Sequence, residues 1–345
     1  METMMRVILY SVSMWVCIAV AARDVLADTV LIVGPEGQYP TLSNAVAAAN
    51  SDTDLNQNYF IHILPGIYTN DFPHVTRPMT IKVDPRYVGK EVLLKATDEV
   101  PNRKGIILTE ASLTVDGLTF MGAKIANSLG GNAAGIRDQS TDGPVTLIVR
   151  NSTFLENQNG ILTGVNPHET ITIENSKFKN NGNASITGPP FCCQHAVYVG
   201  QAGSLIVSTS LFCGQLIGHN IKSRALMTAV YNNALYNGAA NPSLGCMAGS
   251  TSFAIDVPNG GGARISGNQI IQGREASNNN LIAYGEEGLR YSSNSLYVSG
   301  NNFKSSDVPN ATAIYDPHCI PIDLIDNAFS GITTIVAPLQ CAAQP

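Results

Sequence analysis

The sequence predicts a right-handed parallel β-helix, and three observations carry that prediction. A segment of eight residues recurs eight times between Leu113 and Phe329, its last positions 23 to 35 residues apart. Within each copy apolar residues fall at alternate positions, the period of a strand and not of a helix. Each copy then passes through a polar or glycine pair and ends on an aromatic or aliphatic residue. A repeat of that length is the signature of a solenoid, and its strand period makes the solenoid a β-helix.

The chain begins with a segment of different character. Arg6 precedes an apolar run from Val7 to Ala22, and Val25-Leu26-Ala27 places small residues where a signal peptidase reads. We read residues 1–27 as a secretory signal peptide, cleaved after Ala27. A membrane anchor is the competing reading, but the run is short for a spanning helix. The segment would remove Glu2, Asp24, Arg6 and Arg23 together, so the net charge of −6 is unchanged. An acidic chain is a poor partner for nucleic acid. An anionic substrate would need a local basic cluster. Residues 28–345 are expected to form one monomeric β-helix domain, secreted or periplasmic, with an N-terminal cap at about 28–55. No membrane contact is expected after cleavage.

Cleavage leaves six cysteines: Cys192, Cys193, Cys213, Cys246, Cys319 and Cys341. An even number in an oxidising compartment predicts disulfides. Vicinal cysteines rarely bond each other, so one of Cys192 and Cys193 is expected to reach Cys213.

The mature chain starts with a strand from Asp28 to Val33, turned by Gly34-Pro35-Glu36-Gly37. Thr41 then caps a short helix that places Leu42, Ala45, Val46 and Ala49 on one face. Such a helix would plug the open end of the stack. Phe60–Leu64 reads as a strand closed by Pro65-Gly66-Ile67-Tyr68, and Met79–Val83 as another. The clearest copies of the repeat end on Phe120, Phe154, Phe178 and Phe212; weaker ones end on Leu235, Ile270, Phe303 and Phe329. Phe154, Phe178, Phe212, Phe303 and Phe329 are expected to stack inside. Asn175, Asn233, Asn268, Asn301 and Asn327 are expected to form a hydrogen-bonded ladder at a corner, where asparagine tolerates left-handed backbone.

The helix cap, the Pro-Gly-Ile-Tyr turn and the repeat resemble the pectin-lyase-like superfamily of secreted β-helix proteins. The resemblance implies the fold and a carbohydrate substrate. It does not choose among lyases, epimerases, hydrolases, esterases and inert adhesins.

Each coil carries a further strand after its aromatic position, and aligning these strands gives the candidate site. The residue after the inward β-branched position forms an outward column: Arg137, Leu162, Tyr198, Lys222, Asp256, Ala283 and Tyr315. Adjacent coils lie about 4.8 Å apart. Tyr198, Lys222 and Asp256 should therefore be consecutive neighbours. His195 and His219 hold one equivalent place on adjacent coils, and Arg224 lies two residues beyond Lys222. Tyr198, Asn220, Asn259 and Tyr284 are candidate substrate contacts. Glu286 and Glu287 follow the next strand, and with Asp256 they are candidate ligands for Ca²⁺. Arg137 lies apart from this cluster and reads as structural. Asp316-Pro317-His318 resembles part of an alginate-epimerase motif.

These residues suit a polysaccharide lyase or C5-epimerase acting on a uronate polymer. Such an enzyme takes the C5 proton and neutralises the uronate carboxylate. The resemblance to alginate lyases places a lysine and an arginine in those roles, here Lys222 and Arg224. Arg224 would lower the pKa of Lys222 and leave it as base. His195 or His219 would donate the returning proton. Asp256 with Glu286 or Glu287 supplies a pair of carboxylates for the alternative, glycoside hydrolysis. A second alternative is a non-catalytic glycan-binding or surface β-helix. The absence of tryptophan after Trp15 favours it, with Tyr198, Tyr284 and Tyr315 left as stacking platforms.

Overall fold

The computed structural model describes residues 27–54, 57–182, 194–306 and 308–338. The proposed signal peptide, Cys192, Cys193 and Cys341 lie outside them. The chain winds as a right-handed parallel β-helix around three long sheets of 11, 10 and 10 strands. The first sheet begins with Ala27–Val33, the second with Gly66–Thr69, and the third with His74–Val75. Each complete coil contributes a strand to each sheet in turn, as in Leu113–Asp116, Thr119–Met121 and Ala134–Asp138. All strand pairs between coils are parallel, such as Leu147 on Leu113 and Phe154 on Phe120.

The interior is built from the residues that alternation predicts. Phe120, Phe154, Phe178 and Phe212 stack with centroids 4.7–4.9 Å apart, and Phe303 stacks on Phe329 at 5.2 Å. Leu235 and Ile270 fill the coils between them and are fully buried. Each side chain thereby covers the identical position of the coil above, which is how a parallel solenoid closes its core.

The corner ladder differs from expectation by one residue. Asn233, Asn268, Asn301 and Asn327 form it, each amide donating to the next carbonyl oxygen at 2.9–3.0 Å. Upstream, serines hold the same position: the Ser152 amide donates to Ser176 Oγ, Ser176 to Ser210 Oγ, and Ser210 to Asn233 Oδ1. Asn175 is not in the ladder. It occupies the preceding left-handed corner (φ 45°) and bonds Asn151 on the surface.

The helix Leu42–Ser51 is capped by Thr41, whose side chain accepts from the Asn44 amide. It buries Leu42, Ala45, Val46 and Ala49, the predicted face. Asp71 accepts the amides of Leu42 and Ser43 from the neighbouring loop, satisfying two donors at the helix start. Gly66–Thr69, read above as part of a turn, is a strand pairing with Val92–Lys95. Cys213 bonds Cys246, not Cys192 or Cys193, tying a second-sheet strand to a later loop. Cys319 is also disulfide-bonded. No helix among the described residues is long and apolar enough to cross a membrane.

Candidate active site

The site lies on the third sheet, and strand register builds it. Arg137, Leu162, Tyr198, Lys222, Asp256, Ala283 and Tyr315 are paired in that order along one column. The strands Val197–Val199, Ile221–Ser223 and Ile255–Val257 bury their first and last residues, all apolar except Ser223. Period 2 then leaves Tyr198, Lys222 and Asp256 on the opposite face.

At Lys222 and Asp256 that face is closed to water. Asp256 is fully buried beneath Lys222, whose side chain is only 9% exposed. Lys222 Nζ lies 2.8 Å from Asp256 Oδ2, 2.9 Å from Glu287 Oε1 and 3.9 Å from Glu286 Oε1. Burial pushes the Asp256 carboxyl up to about 7, against the pull of the Lys222 ammonium. Burial also opposes the Lys222 charge, but Asp256 and Glu287 together outweigh it, and the lysine pKa is raised. The expectation of a lowered lysine pKa therefore fails. Arg224 does not face Lys222 alone; the two cations share Glu287 between them.

Arg224 is held on every side. Its Nε donates to the Tyr198 hydroxyl at 3.0 Å, its Nη1 donates to Asn259 Oδ1, and its Nη2 donates to Glu287 Oε1 at 2.8 Å. Tyr291, a loop residue outside the repeat pattern, donates its hydroxyl to the Arg224 carbonyl. The hydrogen bond from Arg224 is the main reason that Glu287 is held down at about 2. Asn259 thus orients an arginine and is 95% buried. The turn Pro258–Gly262 delivers it. A Cβ at Gly261 would meet the Leu226 carbonyl oxygen at 2.5 Å, so neighbouring chain accounts for this glycine.

The histidines form a ladder of their own. The His195 amide donates to Asn159 Oδ1, the His219 amide to His195 Nδ1, and the Phe253 amide to His219 Nδ1. Their rings stack at 4.8 Å, with Phe253 next at 5.0 Å. An Nδ1 that accepts from an amide carries no proton, so each neutral ring keeps its proton on Nε2. His219 Nε2 lies 3.5 Å from Asp256 Oδ2. Burial lowers both histidine pKa values, His219 to about 3. Neither is an imidazolium available as a strong proton donor, in contrast to the expectation from sequence.

Two proposed substrate contacts are directed elsewhere. Tyr284 pairs with Val257 at an inward position, is fully buried, and donates its hydroxyl to the Gly261 carbonyl. Asn220 stands one residue before inward Ile221, at the corner, and is also fully buried. Its Nδ2 reaches the Tyr236 carbonyl at 3.4 Å. The Asp316-Pro317-His318 segment is a turn: Asp316 accepts the amides of His318 and Ile320, and His318 Nε2 contacts the Gly285 carbonyl. The donor set Asp256, Glu286 and Glu287 does not fit Ca²⁺, because the Lys222 ammonium occupies the place among the carboxylates that the ion would need.

No protein-family model matches the chain, and no curated protein matches it. Two solved structures of the pectin methylesterase from Aspergillus niger align with 88% of this chain and 86% of theirs. One is deglycosylated and the other carries an N-acetylglucosamine stub; identity is 11% in both, with TM-scores of 0.43 and 0.42. At that identity the likeness is one of fold alone.

Proposed function

We propose that this is a secreted β-helix enzyme that takes an acidic, uronate-containing polysaccharide along its third sheet and removes the C5 proton of a uronate. That step begins both β-elimination and C5 epimerisation. The observation that carries this reading is the Lys222–Asp256 pair, 2.8 Å apart on the outward column of the third sheet. Lys222 is nearly buried, with 9% of its side chain exposed, and Asp256 is fully buried. Transfer of a proton from Nζ to Oδ2 turns the ion pair into an amine and a carboxylic acid, both uncharged. Asp256 and Glu287 hold the ammonium at rest, and burial, by pushing Asp256 up, lowers the cost of that transfer. The amine then accepts the C5 proton as general base. Arg224 is a positioning residue: its Nε donates to the Tyr198 oxygen, which leaves the hydroxyl proton for the leaving or returning centre. The disulfide between Cys213 and Cys246 suits an oxidising compartment.

The test uses Asp256→Asn and Lys222→Ala proteins with a panel of alginate, pectate and glycosaminoglycans, following unsaturated uronates by ultraviolet absorbance. Both variants should lose about a hundredfold or more of kcat/KM, the scale of general acid–base catalysis. Full activity of a folded Lys222→Ala protein would rule out this role for the lysine.

One observation favours glycoside hydrolysis as a second reading. Asp256 and Glu287 contact the same ammonium, one pushed up to about 7 and the other held at about 2. Two carboxyl groups with pKa values driven apart are what acid–base hydrolysis requires. Hydrolysis would yield reducing ends without unsaturated sugars.

A further inference from the structure

We propose that Arg137 is an anion-binding subsite of the same groove, engaging a carboxylate of the polymer away from the reacting sugar. Arg137 stands on the outward column, three coil steps from Lys222 through Leu162 and Tyr198. Its Nε is sealed from solvent and has no hydrogen-bond partner. Among the described residues no carboxylate is ion-paired with it, whereas Lys222 and Arg224 are both neutralised by Glu287. Burial lowers its pKa, and the nearby Tyr198 and Asp138 offset that only in part. Arg137 is partly exposed and lines a cleft, so a guanidinium without a carboxylate partner is offered there to an anion.

The cavity is there. A cleft of about 490 Å³ is lined by Arg137, Leu162, Tyr198 and Arg224, with Gly164 and Gly200 on its floor. A Cβ at Gly200 would lie 1.8 Å from the Gly164 carbonyl oxygen, so close packing of the two backbones requires glycine there. The planar fork of Arg137 suits bidentate contact with a planar carboxylate. Three coil steps amount to roughly 14 Å. One sugar does not span that distance, so the subsite selects an oligomer over a single uronate. This inference rests on the groove being a polysaccharide site, but its test does not depend on turnover.

The experiment measures binding of the mature protein and its Arg137→Gln, Arg137→Lys and Arg137→Met variants by affinity electrophoresis. The gels contain polygalacturonate or alginate (carboxylates), carrageenan (sulfate esters only) or dextran (neutral). Retention should be strong on the carboxylate polymers and absent on dextran. Arg137→Gln should weaken it by about tenfold or more, the loss of a charge-assisted hydrogen bond. Arg137→Lys should fall between. Arg137→Met should melt at the same temperature or higher, because it removes an uncompensated charge; a structural arginine would lower it. Equal retention of wild type and Arg137→Gln, or no retention on any carboxylate polymer, would overturn the subsite. Stronger retention on carrageenan would replace the carboxylate by a sulfate ester and overturn the stated ligand. Retention that depends on Arg137, with no turnover of any polymer, would keep the subsite and defeat the catalytic reading alone.

Discussion

Lys222 stands on the outward column, but its contact with the fully buried Asp256 makes its loss costly to the fold. Lys222→Met strands a fully buried carboxylate, and breaking such a pair costs about 3–5 kcal/mol. The double variant Lys222→Met/Asp256→Asn removes both charges and should recover most of the loss in urea denaturation. If both proteins unfold at the wild-type urea concentration, the pair is not buried as described. Glu287 allows a separate check. Its folded pKa of about 2 lies below its ordinary value, so the stability it contributes is present above the usual carboxylate range and lost as pH falls toward 2. Glu287→Gln should therefore show less acid-induced loss of melting temperature than wild type between about pH 5 and about pH 2.5. An unchanged acid limb would contradict the Arg224–Glu287 contact.

Among the elements, the asparagine ladder and the bulged strand carry the clearest consequences. Asn268 donates to the Val230 carbonyl and to Asn301, and accepts from Asn233, all in the interior. Asn268→Ala leaves several of these groups unpaired and should cost about 3 kcal/mol or more. Asn175→Gly, at an exposed left-handed corner, should stay within about 0.5 kcal/mol. Equal losses by chemical denaturation would refute the ladder. The strand Asn166–Glu174 shifts register between Asn166 and Thr170, and the shift turns Glu169 into the interior. Burial, followed by the charge of Asp138, pushes the Glu169 carboxyl far above the usual range. The folded state then holds a proton that the unfolded chain has released. Its contribution is present at low pH and lost as pH rises into the alkaline range. Glu169→Gln should flatten the fall in melting temperature between about pH 5 and about pH 9. An equally steep fall in the variant would contradict this account.

At the scale of the molecule, whatever repeats with the coil was legible from sequence. The outward column from Arg137 to Tyr315 follows from alternation and coil spacing alone, as do the phenylalanine stack and the buried face of the cap. Features set where the chain leaves the strands were not. Asn220 is turned inward by its corner, and Tyr284 follows the inward phase of its strand past the candidate position. Glu287, not Glu286, clamps Arg224, and Tyr291 comes from a loop with no period. The cysteine pairing failed for the same reason, since Cys246 lies in a long excursion between coils. The unpaired state of Arg137 is a property of its surroundings, and no pattern in the chain encodes it. The most direct test of the central claim follows the C5 hydrogen itself. The mature protein is incubated with each uronate polymer in D₂O, and the products are examined by NMR. The account predicts unsaturated ends or deuterium at C5 with wild type, and neither with a folded Asp256→Asn protein. New reducing ends with no double bond and no deuterium at C5 would contradict it and assign Asp256 and Glu287 to hydrolysis instead.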